Sequence, residues 1–109
     1  MRDYQPSRNL LNGRVILITG AGDGLGRAAS LACARHGASV ILVGRTQKKL
    51  EAVYDAILAE QLAGPLLMPL DLATTGLRGF EEIATAIERE FGRLDGLLHS
   101  AATLGSLTP

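Results

Sequence analysis

Four short apolar runs divide the chain at regular intervals. They lie at residues 14–19, 39–44, 66–70 and 96–101, and each has the length of a strand. The first run, R-V-I-L-I-T, shows no alternation of apolar and polar residues, which is typical of a strand buried on both faces. The four runs therefore predict the strands of a parallel sheet that helices cover on both sides.

The segments between these runs repeat their apolar residues at helical spacing. Helices are predicted over residues 24–36, 47–62 and 77–91, and Gly37, Gly64-Pro65 and Gly92 are the residues that end them. The predicted inward positions are Leu25, Ala28, Ala29, Ala32 and Cys33 on the first helix, Leu50, Val53, Tyr54, Ile57 and Leu58 on the second, and Phe80, Ile83, Ala84 and Ile87 on the third. Small residues on the first helix would allow it to approach the sheet closely.

The alternation of strands and helices predicts an α/β fold. The order is β-α-β-α-β-α-β, and right-handed crossovers give a doubly wound parallel sheet between two helix layers. This three-layer α/β/α arrangement is a little over half of a six-stranded, Rossmann-type dinucleotide-binding fold. Pro69 fits the third strand only near its end or at a sheet edge. Residues 1–9 are predicted to be a polar N-terminal arm, and residues 10–109 a partial dinucleotide-binding domain.

Composition and charge narrow the class of protein. The 109 residues include 11 basic and 11 acidic side chains, so the formal net charge is zero. This balance argues against binding to nucleic acid or to an anionic membrane through bulk charge. The one cysteine, Cys33, cannot form an internal disulfide, and the first residues lack the apolar core of a signal peptide, so a cytoplasmic protein is expected.

A glycine-rich stretch follows the first strand and opens the first helix. Its glycines are Gly20, Gly22, Gly24 and Gly26, with Asp23 and Leu25 between them. Backbone N–H groups at such a turn lack internal partners, and with the helix dipole they favour an anion. The strand-turn-helix context predicts a dinucleotide pyrophosphate site, while glycines that serve only a tight turn are the alternative. A nucleoside-triphosphate loop is disfavoured because no Gly-Lys-Ser/Thr follows.

The end of the second strand indicates the cofactor. Arg45 and Thr46 stand where a dinucleotide fold selects its cofactor, and residues 39–47 contain no acid that would bind a ribose 2′-hydroxyl. Arg45 can pair with a 2′-phosphate, so NADP(H) is favoured over NAD(H). Asp23 counts against this prediction because it adds negative charge to the phosphate loop. The alternative for Arg45 is a solvated loop cation.

The ends of the third and fourth strands supply further candidates. Asp71, followed by Leu72, is placed to accept a hydrogen bond from an adenine amino group, or equally to cap a helix or turn. Small side chains at Ser100, Ala101 and Ala102 would let a nicotinamide ribose approach the backbone, with simple strand-end packing as the alternative.

Metal binding is not predicted. His99 lies in an aliphatic strand and His36 near a helix end, where core or capping roles are expected, and the sequence shows no cluster of Cys, His and acidic residues. Cys33 is predicted to be an inert buried thiol.

These segments resemble the short-chain dehydrogenase/reductase family. Residues 19–26, T-G-A-G-D-G-L-G, resemble the T-G-x-x-x-G-x-G loop of the family, and Asp71-Leu72 resembles its adenine-side pair. Residues 99–102, H-S-A-A, stand where the family carries N-N-A-G, with Ser100 in place of an Asn and Ala102 in place of a Gly.

The resemblance spans residues 10–109. Within the family, the segment at residues 92–101, G-R-L-D-G-L-L-H-S-A, and the earlier run G-A-S-V-I-L-V-G-R-T look most like the bacterial YciK-type oxidoreductases.

The resemblance implies an oxidoreductase. Family members transfer hydride between a nicotinamide cofactor and a small carbonyl or alcohol substrate, with a Ser, a Tyr-x-x-x-Lys pair and often an Asn, all beyond the fourth strand. Here Tyr4 and Tyr54 are the only tyrosines, and neither has a Lys four positions later. The chain is therefore interpreted as the cofactor-binding half of a longer NADP-dependent enzyme. It is expected to be inactive alone and to form homo-oligomers at full length.

Two other functions remain open at the level of sequence. A non-catalytic dinucleotide-binding or sensing module would bind the cofactor without turnover. A Rossmann-type transferase or epimerase is less favoured, because the long first glycine gap and the T-G entry resemble the short-chain enzymes.

Overall fold

A computed structural model describes residues 10–99 of the chain. Its elements are β1 (Val15–Thr19), α1 (Gly24–Arg35), β2 (Ser39–Gly44), α2 (Gln47–Ala59), β3 (Leu66–Pro69), α3 (Leu72–Glu90) and β4 (Gly96–His99). The predicted N-terminal arm at residues 1–9 and the predicted end of the fourth strand at residues 100–101 lie outside the described residues.

The described strands form one parallel sheet. Their order is β3-β2-β1-β4, so the chain crosses from one edge to the other between β3 and β4. β1 pairs with β2 from Val15 opposite Ser39, and with β4 up to Thr19 opposite His99. Pro69 ends the outer strand β3, a position that requires no N–H for a further neighbour.

Two apolar clusters lie on opposite faces of this sheet. On one face, Ile18 and Leu42 pack with Leu50 and Ile57 of α2 and with Ala34 of α1. On the other face, α3 contributes the packing residues, and the members of this second cluster are Val15, Leu17, Ile41, Val43, Ile83 and Ile87. Helices on both faces of a parallel sheet confirm the predicted three-layer, Rossmann-type α/β fold.

The start of β4 is fixed to β1 by Asp95. Its backbone N–H donates to the carbonyl oxygen of Val15 at 2.8 Å, and its carboxylate accepts from the Val15 N–H at 2.7 Å. Arg93 donates to both carboxylate oxygens, at 2.6 and 3.1 Å. These bonds hold the pKa of Asp95 below its ordinary value, chiefly through Arg93 and then through Val15.

The predicted inward face of α1 is wrong. Leu25, Ala28 and Ala32 are exposed, and the buried positions are instead Gly26, Ser30 and Ala34. A Cβ on Gly26 would overlap the carbonyl oxygen of Gly20, so the helix packs this glycine directly against the preceding turn. The turn therefore sets the rotation of α1, which the distribution of small apolar residues does not reveal.

The prediction for α2 holds at its centre. Leu50, Val53 and Ile57 are fully buried, Tyr54 is half-buried, and Leu58 is exposed. The helix ends at Ala59, three residues before the predicted Leu62.

α3 begins earlier than predicted and is kinked. A first turn starts at Leu72, and Gly76 then leaves helical geometry with φ 56° and ψ −132°. Glycine adopts positive φ at little cost because it has no Cβ, so Gly76 allows the helix to kink at this position. Ile83 and Ile87 are buried as predicted, whereas Phe80 and Ala84 are exposed.

No helix between residues 10 and 99 combines the length and the apolar character needed to cross a bilayer.

Candidate functional site

A pocket of about 400 Å³ opens at the carboxyl ends of the strands. Loops that follow parallel strands meet at this edge, which is where open α/β sheets bind ligands. The lining residues are Thr19, Gly20, Gly22, Asp23, Val43, Gly44, Arg45, Thr46, Lys49, Leu50, Leu70, Asp71, Leu72, Ala73 and His99.

The glycine turn forms the first wall of the pocket. Gly20 has a φ of 65°, which glycine adopts readily, and its carbonyl oxygen accepts from the Asp23 N–H at 3.3 Å. The Ala21 N–H donates to the carbonyl oxygen of Val43 at 3.1 Å, and this hydrogen bond holds the turn against β2. The backbone of Gly26 packs directly against that of Gly20, which leaves no room for a Cβ on Gly26. The packing and backbone geometry of the protein itself therefore require both glycines.

The amino terminus of α1 leaves backbone donors without a cap. Asp23 occupies the N-cap position with extended geometry, but its side chain makes no capping hydrogen bond. The N–H groups of Gly24, Leu25 and Gly26, the first residues of the helix, have no partner within the helix. Gly24 also has no heavy atom within 4 Å of the position that a Cβ would take. Nothing in the described protein therefore requires a glycine at this position.

Arg45 and Thr46 form the second wall, at the end of β2. Arg45 is exposed and makes no hydrogen bond or ion pair with any residue between 10 and 99. Thr46 is the N-cap of α2, although its hydroxyl makes no capping bond. Its carbonyl oxygen accepts from the N–H groups of Lys49 and Leu50, at 3.1 and 3.2 Å.

Asp71 lies on the third wall as the N-cap of α3. Its carboxylate accepts from the Ala73 N–H at 3.0 Å, so the capping role that the sequence left open is present. The hydroxyls of Thr74 and Thr75 donate to its carbonyl oxygen. Leu72, half-buried, lines the pocket next to it.

His99 is a residue of this site that the sequence did not predict. It is exposed at the end of β4, contrary to the expected core role, and it lines the pocket. Its Nδ1 lies 2.7 Å from Oγ1 of the buried Thr19, its partner in the β1–β4 register. Both residues end strands at the carboxyl edge of the sheet, and this shared position is the signal that identifies them.

Lys49 is a second residue of the site that the sequence did not predict. It lines the pocket from the first turn of α2, and its Nζ lies 3.0 Å from Oδ1 of Asp23. Its place three residues after the capping Thr46 is the signal in the sequence, because that spacing keeps it near the same end of the helix.

The predicted site residues divide into three groups. Those that line the pocket are Gly20, Gly22, Asp23, Arg45, Thr46, Asp71 and Leu72. Those beside it on the first turn of α1 are Gly24, Leu25 and Gly26. Ser100, Ala101 and Ala102 lie outside the described residues.

Two further observations concern groups that bind metals. Between residues 10 and 99, no three side chains of His, Cys, Asp or Glu are grouped so that they could hold a metal ion. Cys33, a possible metal ligand, is half-buried on α1. Burial raises the pKa of its thiol, so the thiol stays protonated and unreactive near neutral pH.

The amino-acid sequence of the chain matches a known protein family. The family model for short chain dehydrogenases matches residues 14–108. The oxidoreductase YciK of Escherichia coli K12 is 45% identical over 106 residues, which cover 97% of this chain and 42% of that relative. The chain thus spans less than half the length of this relative.

Two solved structures show the same fold at similar identity. A short chain dehydrogenase from Pseudomonas syringae is 50% identical with a TM-score of 0.85, over 93% of this chain and 41% of that one. A short chain dehydrogenase from Escherichia coli CFT073, solved in complex with NADPH, is 45% identical with a TM-score of 0.83, over 88% of this chain and 40% of that one. With its glycine turn, parallel sheet and pocket, the chain belongs to the short chain dehydrogenase family.

Proposed function

We propose that the chain is the NADP(H)-binding portion of an oxidoreductase that transfers hydride between this cofactor and a small carbonyl or alcohol. The observation that carries the proposal is the empty space at Gly24, beside uncapped helix N–H groups and next to the pocket. A glycine that the protein does not need for its own packing is explained by a ligand that approaches the backbone closely.

A dinucleotide fits the residues of the pocket. Its pyrophosphate would accept hydrogen bonds at the start of α1, where the helix dipole favours an anion. Asp71 and Leu72 would contact the adenine. When bound, the nicotinamide supplies the hydride chemistry, and the residues of this chain bind and orient it.

Arg45 favours NADP(H) over NAD(H). It is an exposed cation without a partner between residues 10 and 99, at the mouth of the pocket, and no acid stands beside it on β2. A guanidinium forms charge-assisted hydrogen bonds with a phosphate. The NADPH complex of the Escherichia coli CFT073 dehydrogenase supports this choice.

The domain organisation is part of the same proposal. We assign residues 10–109 to the cofactor-binding portion and place the catalytic residues in further chain. The greater length of the relatives supports this division, since the chain spans about 40% of them. Without a catalytic acid, the isolated chain is expected to show no turnover.

The preference for NADPH is tested on the full-length protein with Arg45→Ala. We expect NADPH affinity to fall by about 10- to 100-fold, the value of a hydrogen bond between charged groups, and NADH affinity to change little. Calorimetric titration measures both. Arg78→Ala is the matched control, since Arg78 is exposed on α3 away from the pocket. Equal affinities for the two cofactors in the unmutated protein would overturn the assignment.

The pyrophosphate site is tested with a pair of glycine variants. Gly24→Ala meets open space, so the free energy of unfolding should change by less than about 0.5 kcal/mol, while NADPH affinity should fall by at least about 10-fold. Gly26→Ala overlaps backbone atoms and should cost about 1–3 kcal/mol of stability. Undiminished NADPH binding by Gly24→Ala would show that the ligand does not approach this turn.

A further inference from the structure

Lys49 and Asp23, which both line the pocket, form an ion pair. Their Nζ and Oδ1 atoms are 3.0 Å apart, and the two side chains are 57% and 51% exposed. Lys49 comes from the first turn of α2 and Asp23 from the glycine turn, which are 26 residues apart. The pair therefore joins the wall that we assign to the pyrophosphate with the wall that we assign to the 2′-phosphate.

Backbone packing fixes the base of the Lys49 side chain. A Cβ on Gly22 would lie 2.7 Å from the Lys49 Cβ, so the glycine turn and α2 are in direct contact at this point. The next residue, Leu50, is fully buried and anchors the turn in the core. The ammonium group, in contrast, ends a flexible, half-exposed side chain and is free to change partner.

The charges that line the pocket balance. They are two cations, Arg45 and Lys49, and two carboxylates, Asp23 and Asp71. Asp71 caps α3 through the Ala73 N–H, and Arg45 has no partner between residues 10 and 99. Lys49 is the remaining cation, and in the described structure its ammonium group is paired with the carboxylate of Asp23. An anionic ligand must therefore compete with Asp23 for Lys49.

Resting on the proposed NADP(H) function, we propose that Lys49 is a specificity-determining residue for the 2′-phosphate and that Asp23 is its competing counter-ion. The ammonium group leaves Asp23 for the phosphate when NADPH binds, and it stays with Asp23 when NADH binds. Exposed ion pairs are weak, so releasing Lys49 lowers NADPH affinity by a factor of no more than about 5. Asp23 thus moderates the preference for NADPH that Arg45 and Lys49 create.

The contribution of Lys49 is tested with Lys49→Met in the full-length protein, by calorimetric titration of NADPH and NADH. We expect NADPH affinity to fall by about 5- to 10-fold and NADH affinity to change by less than about 2-fold. Lys48→Met is the matched control, because Lys48 is exposed on the same turn and does not line the pocket. An unchanged NADPH affinity in Lys49→Met would overturn the proposal.

The competition is tested with Asp23→Asn, which keeps a good N-cap side chain and removes the charge. NADPH affinity should rise by about 3-fold, and Lys49→Met should cost more in the Asp23→Asn background than in the unmutated protein. A smaller cost in that background would mean that Asp23 positions Lys49 instead of competing for it, which contradicts the proposal.

The same titrations separate this inference from the proposed function. If the unmutated protein prefers NADPH and Lys49→Met keeps the full preference, the inference fails and the proposed function stands. If the unmutated protein does not prefer NADPH, or binds neither cofactor, both fail.

Discussion

The two faces of the sheet differ in how completely their helices cover them. Under α2, Leu50 and Ile57 are both 0% exposed. On the face of α3, Leu77 is 74% exposed and Phe80 is 56% exposed, and Leu97 of β4, which pairs with Leu17 of that face, is 59% exposed. Within residues 10–99, the face under α2, called the closed face below, is therefore the better covered of the two, although Leu98, which pairs with Ile18 of that face, is 41% exposed. The face under α3 is called the open face.

This difference arises from the wide apolar side of α3. Ile83 and Ile87 pack against the sheet, Leu77 lies about a quarter turn away around the helix axis, and Phe80 lies between them. The apolar side of the helix therefore extends beyond the residues that pack on the described strands. Large apolar side chains that such a helix leaves exposed often meet further protein. We therefore expect chain beyond the described residues to cover Leu77 and Phe80.

The largest expected effect is on the closed face. Leu50→Ala should lower the free energy of unfolding of the full-length protein by about 2–5 kcal/mol, because a fully buried side chain is lost and a cavity remains. Leu58→Ala on the same helix is the control, and its exposed side chain should cost less than about 1 kcal/mol. Urea denaturation measures both. Equal losses of unfolding free energy in the two variants would show that α2 is not tightly packed against the sheet at Leu50.

An intermediate effect is expected on the open face. Phe80→Ala should destabilise the full-length protein by more than about 1 kcal/mol, since we expect further chain to bury this ring. The measurement is again urea denaturation, with Leu58→Ala as the reference for an exposed apolar side chain. A cost within about 0.5 kcal/mol would mean that Phe80 faces solvent in the full-length protein.

The smallest expected effect concerns Asp95, which holds β4 by polar contacts. Its pKa is lowered in the folded state, chiefly by Arg93, so its carboxylate stabilises the fold above its unfolded pKa, and this stability is lost as the pH falls through the folded pKa. Asp95→Asn should therefore be less stable than the unmutated protein at neutral pH, with a difference that shrinks below about pH 4.

Thermal unfolding at a series of pH values measures this difference. Glu88→Gln is the control, since it removes an exposed carboxylate from α3. A difference between Asp95→Asn and the unmutated protein that persists unchanged in acid would contradict an ionic role for Asp95.

Strand positions could be predicted from sequence because apolar runs are local signals. β2 was predicted at Ser39–Gly44 and is found there, and β1 differs by one residue. Asp71 and Arg45 were also placed correctly at the edge of the sheet, since the carboxyl ends of parallel strands share that edge. Whether these two residues bind a cofactor stays a prediction.

The remaining features depend on contacts between distant segments. The face of α1 follows from the contact of Gly26 with Gly20, which a count of apolar positions does not include. Lys49 meets Asp23 across 26 positions, and His99 meets Thr19 across 80. Sheet order brings these pairs together, and the periodicity of a single segment carries no information about them.

The separation between β1 and β4 also has a consequence for folding. Asp95 and Val15 are 80 positions apart, so a long loop must close before their hydrogen bonds form. β1, β2 and the helix between them are joined by a much shorter connection and should form first. The wall of the pocket that carries Arg45 should therefore form early in folding. The wall that carries His99 should form last, because it depends on the pairing of β1 with β4.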